Sequence, residues 1–260
     1  MERRLGVRLI ERLGRHATPT HAGVELLGHW RGIDAAVSAA VAAMARHATG
    51  VVGQVRLGTG ATACTYLLPP VLRRLRAAFP TLQIVVATGN TPDLLRAVEE
   101  NRLDLGLLTL PAPGRIFQVT PLLEDAFVAV AAAEEPDLPE RVDPRWLSRR
   151  PVVLYEPGAH TRGLVDAWAA EAGVSIAPVM ELGNVEAIKQ LAGAGLGCGI
   201  VPGMAVPPGE RGLAVRPLDP PLARRLGLVM RRDKVLHRGL REVADALKAL
   251  ASPPVTAPAA

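Results

Sequence analysis

The chain has 260 residues, is 49% hydrophobic, and sets 30 Lys and Arg against 25 Asp and Glu for a net charge of +5. That is enough apolar material to bury a real core in one or two domains. With two cysteines, no cleavable signal sequence and no apolar run long enough for a bilayer, it excludes a disulfide scaffold and a membrane protein and predicts a cytoplasmic protein with reduced thiols.

In chain order, Glu2 to Leu5 reads as the end of a basic helix stopped at Gly6, where glycine tolerates the left-handed backbone of a helix terminus. A short apolar run, Val7 to Ile10, and an arginine-bearing turn, Glu11 to His16, then lead to Thr20, a helix N-cap. From Thr20 to Ala48 one helix is predicted, about 40 Å long at 1.5 Å per residue. Its apolar residues Leu26, Trp30, Ile33, Val37, Ala40 and Met44 alternate steps of four and three, a seam suited to left-handed pairing with another helix or to packing on its own domain. Thr49 to Gly53 reads as a hinge. Beyond it, strands (Val55 to Leu57, Leu82 to Ala87, Leu105 to Leu108) alternate with helices (Thr65 to Phe79, Thr91 to Asn101). Such runs imply a parallel sheet covered on both faces.

The scheme repeats with Pro151 to Tyr155, Thr161 to Ala172, Ile176 to Glu181, Val185 to Ala194 and the glycine-lined strand G-L-G-C-G-I-V-P. Between the units, Val119 to Ala133 is expected to form two strands with a turn at Glu124 and Asp125. Leu213 to Leu218 and Leu226 to Met230 bring the chain back, and His237 to Leu250 forms a last amphipathic helix. The expected division is residues 1–19, a helix-turn-helix remnant; 20–50, a linker helix; 51–132 with 226–250, lobe I; 133–225, lobe II; and 251–260, a disordered tail.

The first segment resembles the LysR-type transcriptional regulators. Glu2, Leu5 to Val7 and Leu9 to Arg12 match the end of their recognition helix and the start of the wing, and Thr20, Ala22 and Gly23 match T-x-A-G; Pro19 stands where many members carry leucine. The phrases V-R-L-G with Y-L-L-P-P-V-L, G-N-T-x-x-L-L-R-A-V, L-D-L-G-L, P-L-L-E-D and N-V-E-A-I-K-Q-L-A-G-A-G-L-G-C-G-I-V-P extend the resemblance from Gly53 to Leu250. It implies an α/β protein with two Rossmann-like lobes of a type-two periplasmic-binding-protein fold, behind a linker helix and a winged helix-turn-helix remnant. It also implies operator DNA as a partner, met by Arg3, Arg4, Arg12 and Arg15, and dimers or tetramers paired through Leu26, Trp30, Ile33, Val37 and Met44. Because the sequence starts at the last turn of the recognition helix, the base-reading helices are expected upstream of Met1 or lost, and the chain as given is expected to bind no operator specifically. Arginine excess fits phosphate contact; a GC-rich genome would give the same bias.

Ligands of open α/β sheets sit beyond the carboxyl ends of the strands. That rule selects the loops at 58–65, 89–91, 108–110, 156–162, 183–184 and 202–203. Converging helix N-termini there favour a small anion, most often a carboxylate. The candidate effector contacts are Thr62, Cys64, Thr65, Asn90, Thr109, Thr161, Arg162 and Asn184, and the resemblance places Thr62, Asn90 and Thr109 among the anchoring positions. Each has a plainer role available: Asn184 as a helix cap, Arg162 as a solvated arginine in a first helical turn, Cys64 as a pocket wall rather than a redox thiol.

Catalysis and metal binding find no support. Of the six histidines, His16, His21, His29 and His47 fall in the wing and linker, no nucleophile has a base beside it, and no metal-ligand spacing occurs. No cofactor is expected. A solute-binding protein of the same fold is the alternative function.

Overall fold

The computed structural model describes residues 1–13, 16–49, 53–207, 209–210 and 212–251. Arg15, the centre of the expected hinge at 50–52 and the tail at 252–260 lie outside the described residues.

Helix α1 (Glu2–Leu5) ends at Gly6 with φ 69°. A two-stranded hairpin follows, β1 (Ile10–Leu13) with β2 (His16–Pro19). The Glu2 carboxylate accepts from the N–H groups of Leu9 and Ile10 at 2.7 and 3.2 Å. Thr20 works in both directions: its hydroxyl donates to the Arg8 carbonyl at 2.7 Å and accepts from the Gly23 N–H at 3.0 Å. It therefore caps α2 (His21–Thr49) and pins the hairpin to it. A Cβ on Gly23 would collide with the Leu9 carbonyl oxygen, so the T-x-A-G phrase is a packing requirement. Along α2, about 43 Å long, Trp30, Ile33, Val37, Val41 and Met44 are exposed and Leu26 is half-buried.

Two α/β lobes follow. In lobe I, β3 (Gln54–Thr59) lies parallel to β4 (Gln83–Thr88) and β5 (Leu105–Thr109), and in lobe II, β7 (Val152–Tyr155) lies parallel to β8 (Met180–Leu182) and β9 (Cys198–Pro202). Strand β6 (Phe117–Ala132) belongs to both lobes. Its residues 117–126 pair with β11 (Ala223–Arg231), which also pairs with β5, and its residues 127–132 pair with β9 and β10 (Leu213–Pro217). The chain thus passes between lobes inside β6, not after residue 132, and comes back through 218–222 to a β11 that begins before residue 226.

The expected turn at Glu124 and Asp125 does not exist. Both lie in β6 opposite Arg225 and Arg224, so partners on a distant strand absorb charges that resemble turn chemistry when read locally. The predicted helix from Thr65 is two: α3 (Ala61–Tyr66) and α4 (Leu68–Ala78), the second with its prolines in the first turn, where a missing N–H costs nothing. The strand expected from Ile176 is reduced to β8.

Each sheet is covered on both faces. In lobe I, Val55, Leu57, Leu105 and Leu107 meet Leu240, Val243 and Leu247 of α9 (Arg238–Lys248) on one side, and Leu94 and Val98 of α5 (Thr91–Glu99) meet Leu108 and Val229 on the other. In lobe II, α7 (His160–Glu171) packs Val165 and Trp168 on one face, and α8 (Val185–Gly193) packs Val185 and Ile188 on the opposite one. A short helix, α6 (Pro144–Leu147), closes the edge of lobe II.

Two buried polar arrangements hold this frame. In lobe I, Asp104 receives Arg56 at 3.1 Å and Lys234 at 2.7 Å. Burial works to raise its carboxyl, but the hydrogen bonds from Arg56 and Lys234 outweigh it and hold the group below its ordinary 3.8. At the crossing, Asp125 and Arg224 form a pair at 2.9 Å with side chains 3% and 8% exposed.

Two stability predictions follow. Asp104→Asn is expected to cost about 1–3 kcal/mol at neutral pH, the range for a broken charge-assisted contact. A depressed carboxyl stabilises above its unfolded value and loses that effect as pH falls through the folded value, so the deficit should shrink below about pH 3.8 in urea titrations run at a series of pH values. Asp125→Ala should cost about 3–5 kcal/mol because it strands a buried guanidinium, and Asp125→Leu combined with Arg224→Met should restore most of the loss in the same assay.

Candidate functional site in the interlobe cleft

The cleft lies between the carboxyl ends of β3 and β5 in lobe I and of β7 and β9 in lobe II, with the Asp125–Arg224 pair at its base. Thr62 enters from the first turn of α3 and is 8% exposed. Gly60 stands at the N-cap of that helix without a side-chain cap. From lobe II come Tyr155, the last residue of β7, and His160, the first of α7.

The floor is built around Asp125. Its Oδ2 accepts from Arg224 Nε at 2.9 Å and its Oδ1 from the Met204 N–H at 3.0 Å. Met204 sits in the 3-10 turn Gly203–Ala205 after β9. A Cβ on Gly203 would approach the Ala126 carbonyl to 2.7 Å, so the bare backbone there lets the turn reach the hinge strand. Arg224 also lies 5.8 Å from the Phe127 ring centroid. Burial pushes the Asp125 carboxyl above its ordinary 3.8, against the pull of Arg224 and of the Met204 N–H. The pair holds Arg224 in place through Nε and Nη2, and Nη2 also lies 3.9 Å from the Met204 sulfur.

Two polar atoms beside this floor are buried and unpartnered: Tyr155 Oη and His160 Nε2. Tyr155 is 6% exposed. Its hydroxyl lies near enough to Thr62 to be influenced by it, but the two do not meet in hydrogen-bonding geometry. Burial pushes the Tyr155 hydroxyl up to about 12, so it stays a neutral donor. Burial, and then the Arg224 charge, lowers His160 below 6.5 and keeps its ring neutral at neutral pH. Buried polar groups are nearly always satisfied, so a pair of orphans on one side of a cleft marks where a ligand's polar atoms belong. His160, but not Tyr155, also lines a hollow of about 320 Å³ with Thr91, Arg96, Glu99, Pro111 and Phe117, within the size range of small-molecule sites.

A larger hollow of about 620 Å³ lies among Asp143, Trp146, Arg149 and Pro220 on lobe II. It is remote from the orphan atoms, and we place the chemistry in the cleft because unmet hydrogen bonds identify a ligand site better than volume does.

Among the residues expected from sequence, Thr62 is brought to the cleft, and Thr109 is buried at the end of β5 opposite Leu226. Asn90 takes the N-cap position of α5 without a side-chain cap and is exposed. Cys64 and Thr161 are half-buried. Thr65 is turned to its own helix, donating to the Ala61 carbonyl at 3.0 Å. Asn184 is a cap, accepting from the Ala187 N–H at 2.8 Å. Arg162 is committed elsewhere: it donates to the Tyr155 carbonyl, to Asp166 and to Glu181, so its fork is spent on stapling α7 to β7 and β8. Cys198 is strand core, its thiol pushed up to about 11 by burial.

Sequence reasoning missed Tyr155, His160, Asp125 and Arg224. The strand-end rule reached the loop that holds His160, but Asp125 and Arg224 are 99 positions apart and no local signal joins them.

Among the described residues, no three potential metal ligands cluster and no helix is long and apolar enough to cross a membrane. Arg3, Arg4 and Arg12 are exposed at the hairpin end.

Comparison with known proteins agrees with this architecture. The chain is 31% identical over 204 residues to the transcriptional regulator CbbR of Xanthobacter flavus, covering 77% of this chain but only 61% of that relative. It is 26% identical to Escherichia coli OxyR, a DNA-binding transcriptional dual regulator, over 96% of this chain and 83% of OxyR. Among solved structures, peroxide-bound OxyR of Corynebacterium glutamicum, a cysteine-to-serine mutant, matches with TM-score 0.69 and 26% identity over 96% of this chain and 80% of its own. CbnR in complex with its target DNA matches with TM-score 0.73 at 16% identity over 96% and 86%, a likeness that speaks to the fold alone. These relatives are named as transcriptional regulators, not enzymes. Residues 48–252 match the model of the LysR substrate binding domain, and the chain, with its two-lobed type-two periplasmic-binding-protein fold, belongs to the LysR family.

Proposed function

We propose that this chain is the sensing part of a LysR-type transcriptional regulator that acts in the cytoplasm, without catalysis, and responds to a small effector bound between its lobes. The observation that carries this reading is the pair of buried, unpartnered atoms, Tyr155 Oη and His160 Nε2, both within reach of the Arg224 charge. The Arg224 charge and a neutral phenol suit one carboxylate, the first offsetting its negative charge and the second donating a hydrogen bond. Thr62 adds a hydroxyl from lobe I. Asn90, Cys64, Thr109 and Thr161 line the surroundings and contribute shape more than binding energy.

In this reading the effector draws lobe I and lobe II together about the two crossing strands. The motion changes how paired subunits sit and so how their DNA-binding heads meet an operator. Pairing falls to α2, whose exposed Trp30, Ile33, Val37 and Met44 form one apolar stripe with Leu26; an unpaired stripe of this kind marks an interface. Arg3, Arg4 and Arg12, exposed at the hairpin end, suit phosphate contact beside the operator, and Arg15 is assigned the same role from the sequence alone. The hairpin and long helix ahead of the lobes have no use in a solute receptor for a transporter, and no observation favours that alternative.

Two measurements test this. In a thermal-shift and calorimetric screen of small carboxylates against the chain, one is expected to bind, and Tyr155→Phe should weaken it about five- to tenfold by removing one hydrogen bond without lowering the melting temperature; unchanged affinity would refute the cleft assignment. Trp30→Glu should lower the mass seen in light scattering by placing a charge in the pairing stripe, and a variant of parental size would remove α2 as the pairing element.

A further inference from the structure

We propose that Lys189 and Tyr66 form a clamp across the cleft that positions Thr62 against lobe II and so sets how readily the effector site closes. This rests on the cleft being the effector site. Thr62 and Tyr66 stand at i and i+4 on α3, the spacing that puts two side chains on one helix face. Thr62 faces Tyr155, and one turn later Tyr66 packs into the lobe II cluster formed by Val130, Val185 and Ile188. Met204 makes the reciprocal insertion, from lobe II against the core of lobe I. The lobes therefore interlock through these two side chains, in addition to the Met204 N–H held by Asp125.

Lys189, on α8, secures the first insertion. Its side chain is 3% exposed and its Nζ donates to Tyr66 Oη at 3.1 Å and to the Ala205 carbonyl at 2.7 Å. Glu210 lies 3.0 Å from it and Glu186 3.5 Å. The ammonium also sits 5.4 Å from the Tyr66 ring centroid. A buried ammonium is tolerated only when its three N–H groups and its charge are matched. Here Ala205, Glu210 and Tyr66 do that, and only the Tyr66 partner belongs to lobe I. Separating the lobes strips Lys189 of one neutral hydrogen bond and a ring contact while leaving it anchored and paired inside lobe II. That is a small, reversible penalty, of the size a ligand's differential affinity can overcome or reinforce. Tyr66 and Lys189 are thus positioning residues: they touch no ligand, but they hold the helix that carries Thr62.

Hydrogen exchange on the whole chain without ligand tests this. Tyr66→Phe keeps the ring in its apolar seat and removes only the hydroxyl. Peptides covering Ala61–Tyr66 and Gly203–Ala205 should exchange about five- to tenfold faster, as expected for one lost hydrogen bond, while β5 and β7 keep their protection. Lys189→Met, which also gives up the Ala205 and Glu210 contacts, should accelerate the same segments at least as much, and the double variant should go no further than Lys189→Met alone, since the Tyr66 hydroxyl has then already lost its partner. The clamp is overturned if neither segment accelerates in Tyr66→Phe, if the lobe cores accelerate equally, or if the two substitutions add. No ligand enters this experiment, so its failure leaves the effector reading standing, and that reading falls separately if Tyr155→Phe leaves carboxylate affinity unchanged.

Discussion

The hinge between the two lobes is built on the Asp125–Arg224 pair. The two residues are direct cross-strand partners on β6 and β11, the strands that make both connections between the lobes, and Asp125 also receives the backbone of the turn after β9. A buried ion pair of this kind adds little net stability over well-packed apolar side chains. Its effect is geometric. It keeps the crossing strands in register and fixes a buried guanidinium beside Tyr155 and His160, so under the proposed function one side chain serves both hinge and binding surface. A shift in the hinge must move Arg224, and a ligand drawing on Arg224 must act on the hinge.

The lobes differ in how they treat buried polarity. Lobe I satisfies its own: Asp104 is matched by Arg56 and Lys234, and Thr59 by the Leu107 carbonyl. Lobe II leaves Tyr155 Oη and His160 Nε2 unmet on the side facing its partner. An unsatisfied buried group costs about 1–3 kcal/mol, a cost retained where another molecule is to supply the missing atoms. The asymmetry supports the proposed placing of recognition on lobe II and the hinge, with Thr62 across from them in lobe I.

Much of the architecture was legible because it rests on local chemistry. Thr20 was readable as a cap, Gly6 as a helix stop and Asn184 as a cap, since each acts within a few residues of itself. The alternation of apolar strands with helices gave away the parallel part of each lobe, but not the antiparallel pairing of β6, β10 and β11 that joins the two into one mixed sheet. What escaped depends on distant partners. Glu124 and Asp125 look like a turn until Arg225 and Arg224 are set opposite them. The start of α3 was taken for a loop because Gly60 offers no capping side chain. Tyr155 and His160 matter through partners they lack, a property with no trace in a sequence, and Lys189, though inside the N-V-E-A-I-K phrase, matters through a phenol 123 positions away. Arg162 was tempting as a carboxylate fork, but Asp166, one turn on, already takes it.

The junction between hairpin and α2 has a mechanical consequence. With Thr20 bonded to both Arg8 and Gly23, and Gly23 flush against the Leu9 carbonyl, no free joint remains between the arginine-bearing arm and the rod behind it. Any roll of that rod is delivered to the arm undiminished. Under the proposed DNA-binding role, a few degrees of torsion in the stalk would move the exposed Arg3, Arg4 and Arg12 along the phosphate backbone, with rotation carried through a stiff shaft in place of bending.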